Sequence, residues 1–209
     1  MPSPLSEKVF VIKKGLLVTD AEVILNEITR QVSACRKCSL GVMRKNPVPG
    51  IGSHDSSIMF IGEGPGANED EKGEPFVGAA GQLLDKLLMM IGLKRSEVFI
   101  TNIVKCRPPQ NRTPQQDEIE SCKPYLMAQI AAIMPKIIIT LGAPATQTML
   151  SKQMSISVTH GKLQLKEGLR FLPMYHPAAY LHKRDPELLE AMKKDFRELR
   201  LILDQTITR

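Results

Sequence analysis

A chain of 209 residues, 43% of them hydrophobic, is long enough for one substantial domain and apolar enough to fill its core; this excludes wholesale disorder and makes a second domain a stretch. Twenty-eight Lys and Arg against 22 Asp and Glu give a net charge of +6, which suits a polyanionic partner such as nucleic acid but names none. No apolar run approaches the ~20 residues of a membrane span, and Lys8, Lys13 and Lys14 interrupt the N-terminal segment where a secretion signal needs an apolar stretch, so a cytoplasmic protein is expected.

Residues 1–18 carry Pro2, Pro4 and the short apolar run Val9-Phe10-Val11-Ile12; they are an unplaced extension, an arm or an edge strand, before a single domain over 19–209. Thr19 or Asp20 reads as the N-cap of a helix over 21–34, with Val23, Ile24, Ile28 and Val32 at helical spacing. That helix runs into Cys35-Arg36-Lys37-Cys38 and a loop rich in Pro and Gly over 46–53. Four short apolar runs follow, over 58–62, 98–105, 137–142 and 169–174, rich in Ile, Val and Phe and bounded by Gly, Pro or polar residues; they read as buried strands. Helical patterns alternate with them. Leu83, Leu84, Leu87, Leu88 and Ile91 mark one over 80–91, and Thr113-Pro114-Gln115-Gln116 reads as a capping box opening another to about 134. A third covers 145–152, and Asp185-Pro186 opens the last, to about 203. Alternating strands and helices imply an α/β protein, a three-layer αβα sandwich around a central four-stranded, mainly parallel sheet. Ligands in such sheets bind beyond the carboxyl ends of the strands.

The four cysteines are spaced as Cys35-x2-Cys38, Cys106 and, after fifteen residues, Cys122. A reducing compartment disfavours disulfides, and four thiolates close a site for zinc or for an iron–sulfur cluster. Four-Cys zinc sites usually come as two close pairs, and here the second pair is split. Either group would tie the N-terminal helix to the loop after the second strand, a structural role.

The strand ends hold the other distinctive residues. Gly62-Glu63-Gly64-Pro65-Gly66 is a glycine-rich turn that lacks the Lys-Ser/Thr of a phosphate-binding loop. Phe76, taken alone, reads as a core residue more readily than as a stacking platform, and His176, taken alone, as a satisfied core imidazole more readily than as a catalyst. Asn102 lies inside a strand, where Asn is disfavoured, so it caps a loop or reads a ligand.

Together these residues resemble the family 4 uracil-DNA glycosylases. The likeness rests on Gly62-Glu63-Gly64-Pro65-Gly66 with Glu69 and Asp70, on Pro75-Phe76-Val77-Gly78 and Gly81-Gln82-Leu83-Leu84, on Thr101-Asn102-Ile103-Val104-Lys105-Cys106-Arg107-Pro108, and on His176-Pro177-Ala178-Ala179. It covers roughly 22–204 and leaves the first 18 residues outside. It implies an enzyme that flips uracil out of DNA and hydrolyses its N-glycosidic bond, a monomer acting on single- or double-stranded DNA, with a 4Fe–4S cluster on Cys35, Cys38, Cys106 and Cys122. It further implies that Glu63 and Gly64 line the uracil pocket, Phe76 stacks on the base, Asn102 reads its Watson–Crick edge, His176 faces O2, and Glu69 sits near C5, where it excludes thymine. Glu63 and His176 are the catalytic candidates. By analogy, Tyr180 and Leu181 wedge into the base stack while Lys183 and Arg184 take phosphates.

The chemistry agrees with those roles. An Asn amide accepts N3–H and donates to O4 of uracil, whereas cytosine offers the reverse at both positions. Cleavage passes through an oxocarbenium-like sugar and leaves negative charge on the base, which a donor at O2 stabilises. The principal alternative is a relative that traps uracil-DNA covalently through a His in an Arg-rich insertion after the Cys-Arg-Pro segment; residues 106–114 here contain neither. A zinc-stabilised small-molecule hydrolase and a cluster-bearing subunit with a dead pocket are the others.

Overall fold

The computed structural model describes residues 19–207; the apolar run at 9–12 lies outside them. In chain order the elements are α1 (Thr19–Ala34), α2 (Leu40–Met43), β1 (Ile51–Gly52), β2 (Ile58–Gly62), α3 (Ala67–Lys72), α4 (Ala79–Met90), β3 (Phe99–Asn102), α5 (Gln116–Ile133), β4 (Ile137–Leu141), α6 (Ala143–Met149), α7 (Ile156–Thr159), β5 (Gln164–Lys166), β6 (Leu169–Met174), α8 (Pro177–Lys183) and α9 (Pro186–Ile207). Short 3₁₀ turns at Arg95–Glu97 and Pro109–Asn111 complete them.

The strands form one sheet in the order β1-β3-β2-β4-β6-β5. The four strands expected from the apolar runs, β2, β3, β4 and β6, pair in parallel at its centre. Two short strands flank them antiparallel, β1 on β3 and β5 on β6. The sheet is buried on both faces, and side chains alternate between them. Met59, Ile61 and Ile138 face a core shared with Ile28 and Val32 of α1, Leu126 and Ile130 of α5 and Met149 of α6. Ile58, Phe60, Ile137 and Ile139 face the opposite core, shared with Leu84 and Leu88 of α4 and Met192, Phe196 and Leu199 of α9. Phe60 and Phe196 stack there with ring centroids 6.1 Å apart; full burial of such a ring contributes about 3 kcal/mol. The three-layer sandwich is therefore present, with two edge strands added.

Several boundaries differ from expectation, and two of them bear on the site. The second apolar run forms a strand only over Phe99–Asn102, because the chain then turns to bring 103–106 against α5. Helix α5 begins at Gln116, three residues after Thr113. The N-terminal signal that operates is Glu118, whose carboxylate accepts the Gln115 N–H at 2.7 Å and both terminal nitrogens of Arg112, at 2.9 and 2.6 Å. Glu118 is fully buried and Arg112 holds its carboxyl below the usual range, so this pair fixes the start of α5.

Candidate active site

Gly62 ends β2 and Asn102 ends β3, paired with each other across the parallel register. Ile103 then donates its N–H to the Gly62 carbonyl at 2.9 Å, which keeps the two strand ends together. A Cβ on Gly62 would lie 2.4 Å from Asn102 Oδ1 and 2.7 Å from the Phe76 ring, so only glycine leaves room for both side chains. Beyond β6, His176 caps the N-terminus of α8, its Nδ1 accepting the Ala178 N–H at 3.1 Å. Gly142, at φ +86° after β4, packs so closely on His176 that a Cβ there would lie 3.1 Å from the His176 Cβ.

These strand ends enclose a cavity of about 300 Å³. Glu63, Gly64, Glu69, Phe76, Asn102 and His176, all expected from sequence, line it together. Phe76 is buried at φ +53°, a strained conformation for an aromatic residue, and its ring lies 5.4 Å from that of His176, 30° from parallel. Glu69 explains how that conformation is held. One carboxylate oxygen accepts the Val77 and Gly78 N–H groups, both at 2.9 Å, and the other accepts the Gly66 N–H at 3.1 Å. The acidic side chain thus stitches the glycine-rich turn to the turn that presents Phe76.

Asn102 is only 2% exposed, and its Oδ1 is the one buried side-chain polar atom without a hydrogen-bond partner among the described residues. An amide oxygen in that state costs about 1–3 kcal/mol unless a donor meets it. Asn102 is one of the residues that line the cavity, so a donor entering there is a partner its amide can meet.

Burial pushes the His176 pKa down to about 4, with Glu69 opposing and His182 reinforcing the shift. The ring is therefore neutral near pH 7, and because Nδ1 accepts from Ala178 the proton sits on Nε2. Burial raises the Glu63 carboxyl, with a hydrogen bond to Thr113 opposing it.

The four cysteines also come together. Cys35, Cys38, Cys106 and Cys122 line one small cavity with Arg44, Lys105 and Tyr125. None is in a disulfide. Arg44 Nη1 donates to Cys106 Sγ at 3.0 Å and the Lys105 N–H to Cys122 Sγ at 3.2 Å. Burial raises both of these thiols, Cys122 to about 11, so in the free protein they are protonated. Among the described residues no three His, Cys, Asp or Glu side chains converge on a point suited to a single metal ion.

Residues 49–200 match the model of the uracil DNA glycosylase superfamily. Over 186 residues the chain is 48% identical to the type-4 uracil-DNA glycosylase of Sulfurisphaera tokodaii, covering 84% of this chain and 83% of that protein. It is 44% identical over 183 residues to that of Archaeoglobus fulgidus (84% and 91% covered), and 41% over 176 residues to that of Thermotoga maritima (83% and 92%). The chain belongs to the type-4 uracil-DNA glycosylases.

In this glycosylase the segment expected to grip DNA stands beside the pocket and does not line it. Tyr180, Leu181 and Lys183 lie on α8, and Arg184 ends that helix at φ +54°. The Tyr180 ring packs against the α4–α9 core, Leu181 is half-buried, and Lys183 and Arg184 are exposed. From the same helix, Ala178 and His182 reach the cavity instead. Sequence reasoning also missed Pro108, Asn111, Arg112 and Pro114, which form the far rim of the pocket. The clue was available: a run with Pro at 108, 109 and 114 directly after a cavity-lining strand is a rigid loop held over that strand's end. Among the described residues no helix is long and apolar enough to cross a membrane.

Proposed function

We propose that the cavity receives a uracil flipped out of DNA and that the chain hydrolyses its N-glycosidic bond, leaving an abasic site. The observation that carries this reading is the unpartnered amide oxygen of Asn102, a residue of the cavity lining, an acceptor suited to the N3–H of uracil. In this reading the Asn102 amide donates to O4 with its nitrogen, Phe76 stacks on the base, and His176 offers its Nε2–H to O2. The neutral imidazole gains its hydrogen bond as charge develops on the leaving base, which lowers the barrier more than it stabilises the bound substrate. Glu63, oriented by Thr113, and the backbone around Gly64 hold the attacking water. Glu69 excludes thymine as part of the wall, acting through the turn it braces. Leu181 is the better placed of the two wedge candidates, since Tyr180 is engaged with the core; Lys183 and Arg184 are free to meet phosphates. A pocket that takes an extruded nucleotide has no need of the opposite strand, which supports action on single- and double-stranded DNA alike.

The four cysteines fit a 4Fe–4S cluster: they share one cavity, their second pair is split in sequence where four-Cys zinc sites come as two close pairs, and a cluster takes one thiolate on each of four irons. Arg44 and the Lys105 N–H are placed to stabilise thiolate charge. When bound, the cluster supplies four iron–thiolate bonds that cross-link the end of α1, the segment after β3 and the middle of α5. The site lies apart from the uracil cavity, and the two share no cysteine. Cys106→Ser is therefore expected to lower Tm and to weaken the visible absorption of the cluster, while the folded fraction keeps a kcat within about twofold of the parent. Parallel thermal melts and single-turnover rates check this; a normal Tm with lost catalysis would place the cluster in the chemistry.

The direct test is excision from an oligonucleotide carrying one uracil, with a uracil-free control. A break at uracil only after alkali is expected, together with release of free uracil. An adduct that survives denaturation would instead indicate a covalent trap, which the absence of His from residues 106–115 argues against.

A further inference from the structure

Lysine is among the residues least often found fully buried, yet Lys105 is 0% exposed. Its ammonium is completely engaged. Nζ donates to Thr101 Oγ1 at 2.5 Å, to Gln129 Oε1 at 2.7 Å and to the main-chain carbonyl of Asn102 at 2.9 Å. The acceptors are themselves tied down, Thr101 Oγ1 and Gln129 Nε2 both donating to the Pro49 carbonyl, at 2.9 and 2.7 Å. The Lys105 carbonyl in turn accepts the Val48 N–H at 2.9 Å. One side chain therefore locks the end of β3, the loop before β1 and helix α5 to each other, immediately behind the residue whose amide faces the cavity.

From this geometry we infer that Lys105 is a positioning residue for base recognition: it clamps the Asn102 main chain so that the amide presents a fixed edge to uracil. The inference rests on the proposed reading of Asn102. Asn102 ends its strand; the next residue, Ile103, still donates to the Gly62 carbonyl, while the Asn102 carbonyl accepts from the ammonium. An amide on an unclamped strand end swings, and a displacement of about 1 Å at a reading group is enough to cost about 100-fold in rate. The DNA-gripping residues stand on α8, across the sheet, and are untouched by the clamp.

Lys105→Met keeps the length of the side chain and removes its three bonds. The expected result is a kcat on uracil-DNA lower by about 100-fold, a KM for DNA within about twofold of the parent, and inhibition by free uracil weakened about tenfold or more. Thr101→Val removes one of the three acceptors of the ammonium, together with the bonds of that hydroxyl to Pro49 and Gln129, without touching the cavity, and should shift kcat and the uracil inhibition constant the same way, by about threefold to tenfold. Tm and the absorption of the four-cysteine centre are recorded alongside. A folded Lys105→Met protein with parental kcat and uracil inhibition overturns the inference. Should that variant fail to fold, Thr101→Val decides: a lower Tm with unchanged kcat and uracil inhibition makes the network structural only. Parent protein that neither excises uracil nor is inhibited by it would instead refute the functional reading itself.

Discussion

Asn102→Asp is expected to leave a folded enzyme that has lost about 100-fold in uracil excision and most of its preference for uracil over cytosine. The protein should stay folded because the amide nitrogen that the substitution replaces makes no hydrogen bond among the described residues, so no internal bond is lost. The catalytic loss follows from the same burial. At 2% exposure an ionised carboxylate is strongly disfavoured, and once ionised it has no donor for O4. Protonated, it carries its proton on either oxygen and matches cytosine as well as uracil. The Asn amide cannot make that exchange. Excision rates on matched uracil and cytosine oligonucleotides test this, and unchanged selectivity would remove Asn102 from the reading role.

His176→Ala should lower kcat by about 10²–10³-fold with little change in KM, the signature of a donor used mainly in the transition state. Loss of the cap on Ala178 should cost about 1 kcal/mol of stability as well. His176→Asn separates the two effects. Its side chain can still accept from the Ala178 N–H and present a donor to the cavity, so it should recover stability and part of the rate. The pH dependence is equally diagnostic. With a pKa near 4 the imidazole stays neutral, and kcat should show no limb between about pH 5.5 and 8 arising from this residue. For stability the sign is fixed by the unfolded chain, whose histidine titrates near 6.5. The depressed native value contributes stability that is fully present above pH 6.5 and is lost as pH falls towards 4, where the unfolded state alone takes up the proton. A kcat limb near pH 6.5 that vanishes in His176→Asn would show that the cationic form had been the relevant one.

The central sheet was legible because its strands are mostly apolar, with β2, β3, β4 and the last four residues of β6 all buried. The edges were not: β1 is Ile51-Gly52 and β5 is Gln164-Leu165-Lys166, too short and too polar to leave a pattern. Four short helices, α2, α3, α7 and α8, were missed; each completes at most two turns, which leaves little 3.6-residue periodicity to show. At the site, Asn102 betrayed itself as a polar residue in a strand, and the cysteines by their spacing. Lys105 gave no such sign, because nothing in a linear sequence separates a buried ammonium from the solvated lysines around it. Glu69 stood in an acidic run that reads as a surface loop, and only the geometry shows its carboxylate stitched to three backbone amides.

The parallel order of the sheet has a consequence for when the enzyme becomes competent. Glu63 follows β2, Asn102 ends β3 and His176 follows β6, and each pair of these strands is joined through a helical crossover. Such non-local pairings form late, after loop-closure entropy has been overcome. A half-made or partly unfolded chain can hold an intact α5 and still have no uracil pocket. Base cleavage, a reaction that damages DNA when misdirected, is thereby confined to molecules that have finished folding.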